Sequence, residues 1–181
     1  MRIRSIVLTG AAAAGLAVAA VVFAAEGAAG GIRWNTPAHW TVGEAKPMRK
    51  ATYVIPAASG SAAEAGECGV FFFGKGQGGS VDENLDRWAK QFEGAAAPKR
   101  SESSVHGLKV HRMDLSGTYL APGGPMMQSQ GKKTGWRLSG AIVEAPEGLV
   151  FFKCVGPDAT IQAAAKDIDA LIQSVTKAAK T

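Results

Sequence analysis

Histidine and cysteine are scarce here, three of the one and two of the other in 181 residues. The cysteines form no C-x-x-C, so a thioredoxin-like redox centre is excluded. No G-x-S-x-G occurs and neither Cys68 nor Cys154 has a neighbouring His, which leaves nucleophilic catalysis without a legible constellation. Basic residues come only in small separate groups, Lys46 with Arg49 and Lys50, Lys99 with Arg100, and Lys132 with Lys133. Aromatic residues do not interleave with them, so a nucleic-acid groove is excluded. No internal repeat is visible. Glycosidase-type carboxylate pairs are a property of a fold and cannot be read from these positions.

The one long apolar run stands at the start. Arg2 and Arg4 form a short basic segment, Ile6 to Phe23 is uncharged, and small residues close the run. This is the layout of a secretory signal, with Val22-Phe23-Ala24 as the cleavage site and Ala25-Glu26-Gly27 as a second choice. The run is also about as long as the ~18–20 residues that span a bilayer, so an uncleaved anchor is the alternative. We therefore expect a signal peptide over 1–24, a flexible spacer over 25–31 and one domain over 32–177. The address is periplasmic or secreted, less readily membrane-anchored. Loss of Arg2 and Arg4 lowers the net charge of +5 to a mild +3.

Within the domain, Lys50 to Ile55 and Cys68 to Phe73 read as strands, the latter apolar on both faces. Ser80 to Phe92 reads as a helix. Ser80 and Glu83 form a capping box, and Val81, Leu85, Trp88 and Phe92 share one face. Leu108 to Thr118 alternates as a strand, yet its apolar phase slips between Val110 and Met113, which suggests a bulge near His111-Arg112. Trp136 to Glu144 and Leu149 to Val155 pair through a turn at Pro146-Glu147, and Ile161 to Lys177 closes the chain as a second helix. The expected fold class is α+β, a twisted antiparallel sheet with two principal helices packed on it.

Cys68 and Cys154 both fall in segments that read as buried strands. An even count in an oxidising compartment invites a disulfide; two unpaired buried thiols are the alternative. Gly74 to Gly79, GKGQGG, follows a strand and opens a helix, which is the setting of a phosphate-cradling turn. Asp82 and Glu83 in the next turn weaken that reading, so Lys75, Gly76, Gln77 and Gly78 stand as a looser anion-binding candidate. His106 and His111 would lie on opposite strand faces and read as surface histidines. Only a bulge would let them share a metal, with Met126 and Met127 as soft ligands. We expect no metal, no cofactor and no catalytic residue. Tyr119 to Gly135 reads as a 17-residue connection, long enough to be functional. Met126, Met127, Lys132 and Lys133 on it are the candidate partner-binding residues.

Several strings carry a resemblance. They are Trp34-x2-Pro37-x2-Trp40, Met48-Arg49-x-Ala51-x-Tyr53-x-Ile55-Pro56, Phe73-Gly74-x-Gly76-Gln77-Gly78-Gly79, Asn84-x2-Arg87-Trp88-x2-Gln91-Phe92 and Gly117-Thr118-Tyr119. Gly135-Trp136-Arg137-Leu138-x-Gly140-Ala141-Ile142 and Phe151-Phe152-Lys153-x2-Gly156-Pro157 continue them. Together they resemble a group of exported bacterial proteins of uncharacterised function, over nearly all of 32–176. At fold level the element order resembles the PsbP-like α/β/α sandwich, also found in the Ran-binding Mog proteins. That likeness implies an accessory, adaptor or assembly module of the cell envelope without catalysis, partnered by another envelope protein and not by nucleic acid. Membrane contact would come only through an uncleaved N-terminal segment or a loop. The alternative function is a small-molecule or anion receptor, enzymatic or not, using the Gly74 to Gly79 turn.

Overall fold

The computed structural model describes residues 23–59, 64–121 and 131–179, with side chains from residue 25 onward. Strand β1 (Phe23–Ala29) pairs antiparallel with β2 (Ile32–Pro37) through a two-residue turn at Gly30 and Gly31, whose φ values are 61° and 79°. The left-handed conformation at both turn positions is what a tight hairpin needs and what glycine supplies. The expected spacer over 25–31 is thus a strand and its turn. Its alanines and glycines carry no strand signal, but a Cβ at Gly27 would collide with the Trp34 indole, so the bare backbone is what lets the ring lie against it.

The main sheet begins with β3 (Thr41–Val42), β4 (Arg49–Ile55) and β5 (Gly66–Phe72). Helix α1 (Val81–Ala89) follows, then β6 (Phe92–Glu93), β7 (Lys99–Val105), β8 (Leu108–Leu120), β9 (Lys132–Ala145) and β10 (Gly148–Pro157). The order across the sheet is β3-β4-β5-β10-β9-β8-β6, with β7 also on β8. Helices α2 (Asp158–Ala163) and α3 (Ala165–Gln173) lead to β11 (Thr176–Lys177), which joins β2 to complete a small second sheet. The expected terminal helix over 161–177 is therefore two short helices and a strand. Alanines 163–165 carry no breaking signal; α2 packs on β9 and β10 while α3 packs on β2, and the chain bends to serve both.

Both faces of the main sheet carry a core, one of them only in part. On one face Cys68, Val70, Val143, Val150, Phe152 and Cys154 meet Ile32, Trp34 and the apolar side of α2 and α3. On the other, Leu85 and Trp88 of α1 pack on Met113, Leu115, Leu138, Ile142 and Phe151. This two-sided burial explains the phase slip in β8. Val110 serves the first core and Met113 the second, and the register against β9 runs unbroken through His111 and Arg112. The irregularity lies instead between Gly117 and Tyr119. The polar strand β7, KRSESSV, gave no apolar alternation to read, because only Val105 at its end is buried.

Cys68 and Cys154 face each other in register across β5 and β10 with Cα atoms 3.9 Å apart and are bonded, which resolves the open alternative. Helix α1 starts as its sequence demands. Ser80 Oγ accepts from the Glu83 N–H at 3.2 Å, and the Glu83 carboxylate accepts from the Ser80 N–H at 2.7 Å. The helix ends at Ala89, and Phe92 enters the same core from a strand.

Candidate functional site: a cationic aromatic cleft beside helix α1

Helix α1 covers only part of its face of the sheet. Trp88 seats the helix over Gly140, where a Cβ would come within 2.5 Å of the indole, and Leu85 fills the space beneath. Towards β4 and β5 the sheet stays open, leaving a cleft of about 920 Å³. Its floor is formed by Gly69 and Phe71 of β5, Phe151, Lys153 and Val155 of β10, and Trp136 of β9. Asn84, Arg87 and Gln91 line the side nearest the helix, and Lys46, Pro47 and Met48 the edge before β4. Met48 is 73% exposed and holds φ 66°, while Phe73 is 37% exposed.

Two groups of aromatic rings lie along this floor. Phe71 stacks on Phe73 with ring centres 6.4 Å apart, and Phe73 approaches Phe151 at 5.8 Å. Tyr119 stacks almost parallel on Trp136 at 5.6 Å. Cations lie over several of these faces: Arg49 is 5.4 Å from the centre of Phe71, Lys133 4.2 Å from Trp136 and Lys153 5.4 Å from Tyr119. Such placement over a ring is weakly attractive and keeps the charged head beside an apolar surface.

Lys153 is the distinctive charge. On β10 it faces Gly69 on one side and Gly140 on the other, so two residues without side chains give its stem room. Its ammonium donates to Gln91 Oε1 and lies 3.4 Å from the Tyr119 hydroxyl; among the described residues no carboxylate forms an ion pair with it. Burial, reinforced by repulsion from Arg49 and opposed by Glu67, lowers its pKa to about 8. Burial also raises the Tyr119 phenol to about 12, so it remains a hydrogen-bond donor. For Glu67, burial works upward but hydrogen bonds from Lys46 and Arg49 outweigh it and hold the carboxyl below the usual range.

Of the residues singled out from sequence as candidate binding residues, Lys133 alone lines the cleft, and the other described ones fall elsewhere. The Gly74 to Gly79 turn closes on itself through Gln77 N–H to Gly74 O at 3.2 Å, and Asn84 Nδ2 donates to Gly78 O at 2.8 Å. The Glu83 carboxylate already sits at the helix N-terminus, so Lys75, Gly76, Gln77 and Gly78 present a poor seat for a second anion. The 17-residue connection is shorter than expected, since β8 runs to Leu120 and β9 starts at Lys132. Met126 and Met127 lie outside the described residues. Lys132 pairs with Glu93 at 2.6 Å, and Lys133 with Glu64 at 3.1 Å. His106 sits in the β7–β8 turn with Nδ1 2.9 Å from Val175 O. His111 is not a surface residue: it is 6% exposed, between Glu102 at 2.9 Å and Glu144 at 2.7 Å. His39 lies 3.1 Å from Asp167.

Apart from Lys133, sequence reasoning missed the binding residues of the cleft. The available signal was Lys153 itself, a charge in the middle of the apolar strand LVFFKCV, where an unpaired Lys is rare.

With three layers and a core on both faces, the molecule is an α+β sandwich built on an antiparallel sheet. Its fold is PsbP-like. Cyanobacterial PsbP (CyanoP) from Synechocystis sp. PCC 6803, solved in solution, superposes with a TM-score of 0.52 at 8% identity, covering 92% of this chain and 98% of that one. The crystal structure of PA94, a protein of unknown function from Pseudomonas aeruginosa, gives a TM-score of 0.50 at 13% identity, covering 82% of this chain and 92% of that one. No family profile and no curated protein matches the sequence. At such identities the likeness concerns the fold alone. Among the described residues no helix is long and apolar enough to cross a membrane.

Proposed function

We propose that this protein is an exported, non-catalytic accessory module of the cell envelope that works by binding, and that the cleft beside α1 is its working surface. The observation that carries this reading is the composition of the cleft. Aromatic rings, lysines, arginines and amides converge there, and among the described residues its lining includes no His, Ser, Cys or Asp. A site of that make-up, flat apolar faces with a few convergent polar groups, is suited to holding a molecule. Export rests on the basic start and apolar run at the N-terminus.

The purified protein, immobilised and exposed to envelope extract, should retain a component that a Trp136→Ala variant loses. Equal retention by the variant would move the working surface away from the cleft. Turnover of ester, phosphoester or glycoside substrates that depends on cleft residues would make the protein an enzyme. Intact mass of exported material checks the address: a chain beginning near Ala25 is expected, and recovery of residues 1–24 in the membrane fraction would make it anchored.

A further inference from the structure

Three features of the cleft bear on what it holds. The first is charge. Lys46, Arg49, Arg87, Lys133 and Lys153 line it against the single carboxylate of Glu67. Glu67 is already engaged by Lys46 and Arg49, which leaves Lys153 with only neutral partners, Gln91 and Tyr119. The second is apolar exposure. Of the three large apolar residues exposed among the described ones, Met48 and Phe73 both belong to this cleft. The third is arrangement. Along β10, Lys153 lies between the row that joins Phe71 to Phe151 and the strand end opposite Trp136. A charge at the floor is thereby flanked by flat apolar faces on both sides.

We propose that the cleft binds a small organic anion with a planar apolar body, its carboxylate or sulfonate head on Lys153 and its body against Phe71, Phe151 and Trp136. This rests on the reading of the cleft as the working surface and names its ligand class. A volume of about 920 Å³ suits a drug-sized or somewhat larger molecule rather than a folded partner. The lowered pKa of Lys153 agrees with a floor where water solvates the ammonium poorly. There a bound anion replaces missing solvation, and a charge-assisted hydrogen bond is stronger than it would be in water.

Calorimetric titration with 2-naphthoate, its neutral isostere 2-naphthamide and acetate tests the proposal on the purified protein. Naphthoate should saturate a single site, naphthamide should bind at least ten-fold more weakly, and acetate should give no measurable heat. Lys153→Met should weaken naphthoate ten-fold or more and naphthamide by far less, so that the two probes bind with similar affinity; Trp136→Ala should weaken both aromatic probes alike. Equal affinity of the wild type for naphthoate and naphthamide would overturn the proposal, as would naphthoate binding indifferent to Lys153→Met. If neither aromatic probe binds while the protein still retains an envelope component in a Trp136-dependent way, the ligand class is wrong and the binding role stands. Binding to anionic lipid vesicles in place of naphthoate would overturn the small-molecule assignment.

Discussion

The two faces of the main sheet are built from the same strands and reach opposite ends. In β10, Val150, Phe152 and Cys154 point to the face closed by the small sheet and by α2 and α3. There Trp34 meets Phe152 edge-on at 5.2 Å and donates from its indole N–H to Tyr53 at 3.0 Å. Phe151, Lys153 and Val155, one residue out of step, point to the face where α1 covers only part of the surface. The first face carries the disulfide and no charge in its core; the second carries an ammonium flanked by rings. A sheet sealed by two layers supplies stability, which permits the half-covered face to keep a charged, open site.

Removing the disulfide should produce the largest loss and should fall on the sealed face. Replacing both cysteines by alanine releases a crosslink 86 residues apart in sequence. The chain-entropy argument puts its contribution at about 4–5 kcal/mol, readable as a lower midpoint in denaturant. A shift under about 1 kcal/mol would mean that the sealed face holds without its staple. Trp88→Ala comes next, at about 3–5 kcal/mol, because the indole fixes α1 over Gly140. A variant that kept its melting temperature would show that the helix is not held by that contact.

Lys153→Met should act in the opposite direction, stabilising the protein at pH 7 by about 1–3 kcal/mol, because the folded state there carries a poorly solvated ammonium. The sign follows from the two pKa values, about 8 folded against 10.5 for a free lysine. Between them the unfolded chain holds a proton that the folded chain has released, so the wild type gains stability as pH rises through this window. The advantage of the variant should be full below about pH 8 and fade towards pH 10.5. A pH-independent difference would assign the effect to packing. The smallest change is Ser80→Ala, which removes one half of the capping box and should cost about 0.5–2 kcal/mol while leaving cleft binding unaltered.

What could be read in advance was local. The capping box at Ser80 and Glu83, the stripe of Val81, Leu85 and Trp88, and the hairpin at Pro146 and Glu147 depend on residues a few positions apart, and the structure has each where its spacing puts it. The strand β1 was illegible because Gly27 contributes only room for Trp34, and room leaves no mark in a one-dimensional pattern. In β8 the phase slip was visible but misread, since alternation assumes one buried face and this strand serves two cores.

The sequence by itself determined the α+β class, the start of α1 and the basic, apolar character of the N-terminus. These follow from propensity, periodicity and charge within single segments. The expected two-sided cover of β5 holds on one face only, its other face being the cleft floor. Only the tertiary structure decided that Cys68 meets Cys154, that His111 is buried between two carboxylates, and that Lys153 shares a cleft with Arg49, Tyr119 and Trp136. The disulfide, the cleft and the His111–Glu144 contact each join residues that lie far apart in the chain. Strand order and register, set by long-range packing rather than by neighbours in sequence, bring them together.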